Sequence, residues 1–232
     1  MLREAPRLDV GVHLTFVGRT EYPTSPASEV RSLLSGATTQ FLPGWGAFLA
    51  RYLRGGIDLG ELEREARRQI DRVAESGLRL THLDSHQHLH ALPAIFDVVC
   101  ALAVEYGIPY VRLPLDTGPV ASGPVRGLAI RALARLARGD RVRVPAALRT
   151  NGRAIGIGDA GHLTAERLVA LLERVEGVTE LVSHPGEGDR EIASRFPWRY
   201  EWDAEREALC DPRVREKIAA EGITLGGVRE LP

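Results

Sequence analysis

Residues 81–93 read Thr-His-Leu-Asp-Ser-His-Gln-His-Leu-His-Ala-Leu-Pro and contain most of the side chains that could perform chemistry. Four of the seven histidines of the chain fall here, at positions 82, 86, 88 and 90, with Asp84 among them. Imidazole is the commonest protein ligand for divalent metals and the usual acid or base near neutral pH. Because packing alone gives no reason to crowd so many histidines at a strand end, the segment predicts part of a metal-dependent active site.

The elements that must position this segment are predicted by the hydrophobic pattern, in which short apolar runs alternate with longer helical patterns. Predicted strands cover residues 8–16, 78–84, 110–113, 179–183 and 223–225. Predicted helices cover residues 58–76, 92–106, 124–139, 164–175 and 205–221. Such alternation favours an α/β fold with a parallel sheet or a β/α barrel, in one domain over residues 1–232.

In folds of this class the chemistry gathers at the C-terminal ends of the strands. His13, Asp84 with His86, Arg112 and His184 each lie at or just past the end of a predicted strand. Polar groups from four separate strands are therefore expected to converge on one face.

Within the histidine segment, His86 is the expected metal ligand, and Asp84 and His88 are its expected orienting partners. A polar loop stabilised by hydrogen bonds is the structural alternative. His13, taken alone, is more typical of a structural strand histidine than of a ligand.

His184 directly precedes Pro185 and follows an apolar strand, which favours a general acid or base. A loop histidine that caps the strand end is the alternative. Arg112 is expected either to bind an oxyanion or substrate hydroxyl or to pair with a nearby carboxylate. The chain has no GxGxxG, GxxxxGK[ST] or GxSxG motif, so metal-activated water is the favoured mechanism.

Composition argues against several classes of partner and location. The 232 residues carry a formal net charge of −1, which argues against a nucleic-acid partner. No run of eighteen apolar residues occurs, so no membrane span is expected. Two cysteines without a metal-type spacing suit a reduced, cytoplasmic protein.

Three motifs resemble one known family. They are Gly-Val-His-Leu-Thr at 11–15, Thr-His-Leu-Asp-Ser-His-Gln-His-Leu-His at 81–90 and Glu-Leu-Val-Ser-His-Pro-Gly at 180–186. In this order and spacing they resemble the YdjC-like carbohydrate deacetylases, which include chitooligosaccharide deacetylases and a hopanoid-associated branch. Residues 205–212 also look like that family, and the resemblance covers essentially the whole chain.

The resemblance implies a β/α barrel related to the polysaccharide deacetylases, acting on an N-acetylated sugar or glycoconjugate. It also implies a divalent metal, usually assigned as magnesium, held by one aspartate and two histidines. Carried over by position, the histidines are His13 and His86, and His184 is the acid that protonates the leaving amine. Zinc is the alternative metal, since two histidines and a carboxylate also suit its ligand preference.

The chain departs from the family at one motif. The family begins with a strand that ends in Asp-Asp-Phe-Gly and supplies the metal aspartate, whereas this chain contains no Asp-Asp pair. The barrel is therefore expected to be incomplete at its N-terminus, through a misassigned start, a truncation or a real loss of activity. An open barrel would expose an edge, which predicts poor solubility or a homo-oligomer.

Two other functions stay open. A non-catalytic sugar-binding or partner-binding remnant of the family would keep the pocket without the metal carboxylate. An amidohydrolase-type binuclear hydrolase is suggested by the His86-Gln87-His88 pattern, but many such sites need a bridging lysine. Lys217, the only lysine, lies in a charged predicted helix far from any strand end.

Overall fold

A computed structural model gives the fold and describes residues 8–36, 38–116, 118, 124–187, 193, 194, 196, 198 and 200–231. The strands are β1 Val10–Leu14, β2 Leu80–Ser85, β3 Arg153–Ile155 and β4 Thr179–Leu181. The helices are α1 Trp45–Leu53, α2 Leu59–Ala74, α3 Pro93–Glu105, α4 Pro124–Asp140, α5 Ala165–Leu172, α6 Trp202–Cys210 and α7 Pro212–Ala220.

The chain divides into two compact units. The first comprises Met1–Arg112, Asp140–Thr150 and Gly227–Pro232, and the second comprises Leu113–Gly139 and Asn151–Gly226. The assignment of residues 1–232 to one domain stays a prediction.

In the first unit β1 and β2 form a two-stranded parallel sheet. Its register places His13 opposite Asp84 and Leu14 opposite Ser85. Val12 and Leu14 are buried while His13 between them is exposed, as expected for side chains that alternate between two faces. Because the strands are parallel, both end at the same edge of the sheet, so His13 and Asp84 lie side by side.

Helix α2 confirms the sequence-predicted helix and its capping residues. Asp58 accepts a hydrogen bond from the backbone N–H of Glu61 at 2.9 Å, which satisfies one of the donors left open at a helix start. Leu62 and Ile70 on its inner face are fully buried. Gly77 follows with a φ of +73°, a conformation that glycine adopts without steric cost.

The sequence predicts helix α3 but not helix α1. Helix α3 has Pro93 at its first turn and is mostly apolar, as predicted, and it buries one face that includes Ile95, Phe96 and Val99. Helix α1 was not predicted, because its nine residues present only Phe48 as a buried side chain. Its pattern is too short to give a clear period.

In the second unit β3 and β4 form another two-stranded parallel sheet. Thr164 caps α5 by accepting from the N–H of Arg167 at 3.3 Å, as the sequence predicts. One face of α5 then packs into an apolar cluster, formed by Ile155, Leu163, Leu168, Leu171, Leu172 and Val214.

Three sequence predictions need correction. The predicted helix 205–221 is two helices, because Pro212 cannot continue a helix and Asp211 instead caps α7. Residues 223–225 form no strand. Residues 110 and 111 pair only through single bridges, to Arg149 and Leu83. In the described part of the chain the mixed α/β class with parallel strands is confirmed, whereas a closed barrel is not.

Candidate functional site

His13, Asp84 and Arg112 form a chain of hydrogen bonds at the ends of β1 and β2. His13 Nδ1 lies 2.9 Å from Asp84 Oδ1, and Arg112 Nη1 bonds to Asp84 Oδ2. The side chain of Asp84 is 6% exposed, whereas that of His13 is 51% exposed. A buried carboxylate therefore joins an accessible imidazole to a guanidinium.

Asp84 is ionised in this environment. Burial by itself raises the pKa of a carboxyl group. The hydrogen bond from His13 and the positive charge of Arg112 act in the opposite direction, and together they hold the pKa of Asp84 well below its usual range. Because a carboxylate only accepts hydrogen bonds, Nδ1 of His13 donates to Asp84, so Nε2 is the nitrogen that carries the lone pair in the neutral tautomer. Carboxylates orient metal-binding histidines in this way.

His86 lies beside His13, with its ring edge towards that ring. The ring centroids are 5.9 Å apart at an interplanar angle of 72°. Burial lowers the pKa of His86 to about 4, and the neighbouring His13 ring adds to the lowering when it is protonated. His86 is therefore neutral at neutral pH, which is the protonation state that binds a metal ion.

The backbone of residues 86–91 turns sharply after β2. Gln87 and His88 have φ values of 53° and 54°, in the left-handed region that non-glycine residues rarely adopt. The side chain of Gln87 accepts from the N–H of Trp45 at 2.7 Å, which ties the turn to the start of α1. Nδ1 of His88 is buried and has no hydrogen-bond partner among the described residues, and burial holds the pKa of this ring well below its usual range.

The rings of His90 and His82 contact neighbouring parts of the fold. Nδ1 of His90 lies 2.7 Å from Ser85 Oγ, and its Nε2 donates to the carbonyl of Arg112 at 2.9 Å. Burial lowers the pKa of His90 to about 4, so the ring is neutral with its proton on Nε2. The ring of His82 covers Gly11, where a Cβ would collide with it. Both rings fix β1, β2 and the turn that carries His86.

A divalent metal fits the pair His13 and His86. A metal–nitrogen bond of about 2.0–2.1 Å allows rings at this separation to bind the same ion. Nε2 of His13 has the lone pair and the orienting carboxylate that such a ligand needs. In the residues that the structure describes, no group of three His, Cys, Asp or Glu side chains is placed to hold a metal ion. The described residues would thus offer two histidine nitrogens to such an ion.

His184 belongs to the second unit and lies three residues after the end of β4. Its backbone N–H donates to Glu205 Oε2 at 2.5 Å. Its ring meets the edge of the Tyr200 ring, with centroids 5.4 Å apart. The position after a parallel strand agrees with the sequence prediction, while a catalytic role stays a prediction.

The structure thus brings together five of the six candidate residues in the first unit, namely His13, Asp84, His86, His88 and Arg112. Arg112 takes the second of its two predicted roles, an ion pair with a carboxylate. Sequence reasoning missed Ser85 and Glu205. The signal for Glu205 was a carboxylate on the buried face of α6, between Trp202 and Ala208 at helical spacing.

The chain is similar to known proteins over most of its length. The family described as YdjC-like protein matches residues 1–220. This chain belongs to the YdjC-like family. A carbohydrate deacetylase from Homo sapiens is 31% identical over 90% of this chain and 71% of its own length. One from Geobacillus stearothermophilus is 30% identical over 100% of this chain and 79% of its own. A chitooligosaccharide deacetylase from Enterobacter sp. (strain 638) is 29% identical over 99% and 80%.

A solved structure has a similar fold over almost the whole chain. It is the crystal structure of an Enterococcus faecalis V583 protein named for cellobiose-phosphate cleavage. It superposes with a TM-score of 0.72 at 26% identity, over 98% of this chain and 80% of that one. The family match over residues 1–220 confirms the predicted family, whose relatives compared above are named carbohydrate deacetylase or chitooligosaccharide deacetylase. No helix in the described residues has the length and apolar character needed to cross a membrane.

Proposed function

We propose that this protein is a metal-dependent carbohydrate deacetylase, which hydrolyses the N-acetyl group of an amino sugar or of its conjugate. The observation that carries the proposal is the histidine pair with its buried carboxylate, His13 with Asp84 behind it and His86 beside it. The pair lies at the ends of two strands, in a chain whose relatives are named carbohydrate deacetylases.

The reaction adds water across the acetamide bond. The water oxygen bonds to the carbonyl carbon, the carbon–nitrogen bond breaks, and acetate and a free amine result. A bound Mg²⁺ or Zn²⁺ would polarise the carbonyl and lower the pKa of the attacking water. The leaving nitrogen must gain a proton, because an amide anion is too basic to depart.

Different residues of this chain would bind the ion, orient its ligand and donate the proton. His13 and His86 would hold the ion through neutral imidazole nitrogens. Asp84 keeps the His13 ring in one orientation and one tautomer, and Arg112 stabilises the charge of that carboxylate. We assign to His184 the proton donated to the leaving amine. The β/α barrel related to polysaccharide deacetylases is the fold that this proposal requires.

Acetate release tests the proposal. Purified protein should release acetate from N-acetylglucosamine oligomers when Mg²⁺ or Zn²⁺ is added, and a chelator should stop the release. His86→Ala should abolish it. His162→Ala is the matched control, since that histidine is exposed and carries no proposed role. The proposal fails if neither metal yields acetate from these oligomers or from N-acetylated conjugates.

One observation favours a non-catalytic alternative, a sugar-binding member of the family. Among the described residues, no group of three His, Cys, Asp or Glu side chains is placed to hold a metal ion. Titration calorimetry with Mg²⁺, Zn²⁺ and N-acetylglucosamine oligomers separates the two functions. Oligomer binding without uptake of either metal would support the binding protein, and metal uptake that His86→Ala removes would support the enzyme.

A further inference from the structure

Glu205 is a buried carboxylate whose partners are backbone groups. The residue lies on α6 and is fully buried. Its Oε1 accepts from the N–H of Gly161 and its Oε2 from the N–H of His184, each at 2.5 Å. Burying a carboxylate is costly unless hydrogen bonds compensate for the lost water. The two hydrogen bonds offset this cost, and through them Glu205 holds the loop at Gly161 and the loop at His184.

The bond to Gly161 fixes the first of these loops. Gly161 has a φ of +86°, and the ring of Tyr200 occupies the space that a Cβ would need there. The carbonyl of Gly161 also accepts from the N–H of Glu201 at 2.9 Å. Gly161 is therefore held against the residues that begin α6, which gives Glu205 a fixed neighbour on one side.

The bond to His184 fixes the second loop. Besides its amide contact with Glu205, His184 has its ring against Tyr200. Two residues later the N–H of Gly186 donates to the carbonyl of Trp202 at 3.2 Å. The segment after β4 is thus held by residues 200–205 at the amide of His184, at its ring and at Gly186.

We propose that Glu205 is the positioning residue of His184. Its carboxylate fixes the backbone from which the imidazole projects, so that the ring is held in place to deliver its proton. This inference rests on the proposed function, in which His184 protonates the leaving amine. Displacing a catalytic group by about 1 Å can lower a rate by about a hundredfold. We therefore expect Glu205→Gln to lower kcat by about that factor and to change KM by less than about threefold.

Glu205→Gln tests this with almost no change in shape. One acceptor oxygen becomes an NH2 group that can only donate, so a backbone N–H of Gly161 or His184 faces another N–H. Asp116→Asn is the matched control in the same unit. The buried carboxylate of Asp116 also accepts from two backbone N–H groups, those of Gly118 at 2.8 Å and Gly158 at 3.3 Å. It should lose stability without the selective loss of kcat.

A double-mutant cycle separates positioning from general damage to the fold. If Glu205 acts through His184, Glu205→Gln should cause no further loss of kcat in a His184→Gln background. It should still lower the midpoint of thermal unfolding there. A full additional loss of kcat in that background would overturn the proposal.

Hydrogen exchange gives a readout that needs no activity. The His184 amide should exchange slowly in the full chain, at least tenfold faster in Glu205→Gln, and at the original rate in Asp116→Asn. Unchanged protection in Glu205→Gln would refute the positioning role even if the enzyme is active. If no substrate yields acetate, the proposed function fails, while the exchange rates still decide whether Glu205 holds His184.

Discussion

The tautomer of His13 depends on two other charged side chains. The hydrogen bond from His13 and the charge of Arg112 keep the buried Asp84 ionised, and the ionised carboxylate accepts the proton on Nδ1 of His13. Asp84 and Arg112 thus set the orientation and tautomer of His13, the predicted ligand. Such outer partners typically change metal affinity by about 10-fold to 100-fold when they are replaced.

Asp84→Asn should therefore weaken binding of Zn²⁺ and Mg²⁺ by about 10-fold to 100-fold, measured by titration calorimetry. It also leaves the guanidinium of Arg112 without its buried counter-charge, which should lower the free energy of unfolding by about 3 kcal/mol. Asp159→Asn is the control, because it breaks another ion pair of a buried carboxylate, with Arg167. Equal metal affinity in Asp84→Asn and the native protein would contradict the orienting role.

Asp140 is a second residue whose environment sets a measurable pH dependence. Burial raises the pKa of Asp140 to about 6, although Arg143 acts to lower it. Its Oδ2 has no hydrogen-bond partner in the described structure. The folded state therefore holds a proton more tightly than the unfolded state, and stability from this residue falls as the pH rises from about 4 to 6.

Asp140→Asn should remove that decline and make the protein more stable than the native sequence at pH 7. Urea unfolding between pH 4 and pH 7.5 measures the effect. Parallel stability profiles for the two proteins would show that the carboxyl group of Asp140 titrates normally.

At the scale of elements, a strand register and a turn place the site. Parallel pairing of β1 and β2 sets His13 beside Asp84, and the left-handed Gln87 and His88 bring the chain round from β2 to α3. Left-handed non-glycine residues cost of order 1–3 kcal/mol each and persist where the surroundings hold them. Here the side chain of Gln87 accepts from the N–H of Trp45 at the start of α1, and Leu89 and His90 directly after the turn are fully buried, so these contacts stabilise it.

The start of α2 provides a test at the same scale. Asp58→Ala removes the acceptor for the N–H of Glu61. We expect a loss of about 1 kcal/mol in the free energy of unfolding, measured with urea, and no change in metal affinity. Thr164→Ala removes the corresponding cap of α5 in the other unit and should lose a similar amount. An unchanged urea midpoint in Asp58→Ala would mean that this cap is not needed.

At the scale of the whole molecule, buried histidines set the response to acid. Burial holds the pKa of His88 well below its usual range and lowers those of His86 and His90 to about 4. The unfolded chain, with histidine pKa values of about 6.5, then binds more protons than the folded one. Stability from these rings is complete above about pH 6.5 and is lost as the pH falls towards 4.

We expect unfolding of the Asp140→Asn protein to show this loss without the opposing contribution of that carboxyl group. For His90 alone it amounts to about 3 kcal/mol by pH 4, at about 1.4 kcal/mol for each pKa unit. Urea midpoints from pH 7.5 to pH 4 measure it. A flat profile over that range would mean that the three rings titrate in the folded protein as they do in the unfolded chain.

Much of this arrangement was predictable from the sequence. The helices with clear periods and caps, α2, α3 and α5, were found with errors of a few residues at their ends. The grouping of His13, Asp84 and His86 followed from the rule that parallel strands end at one edge. Helix α1 and the break at Pro212 were missed, because a short helix has little periodicity and an apolar pattern can continue across a proline.

The sequence by itself determined the family, the parallel α/β class and the residue types available for metal-assisted hydrolysis, because these depend on motifs and periods. Only the tertiary structure decided the partners of each group. It pairs Arg112 with Asp84, gives both nitrogens of His90 hydrogen-bond partners, and joins Glu205 to His184. Burial, charge and hydrogen-bond geometry arise from residues far apart in the chain, so they appear only when the chain is folded.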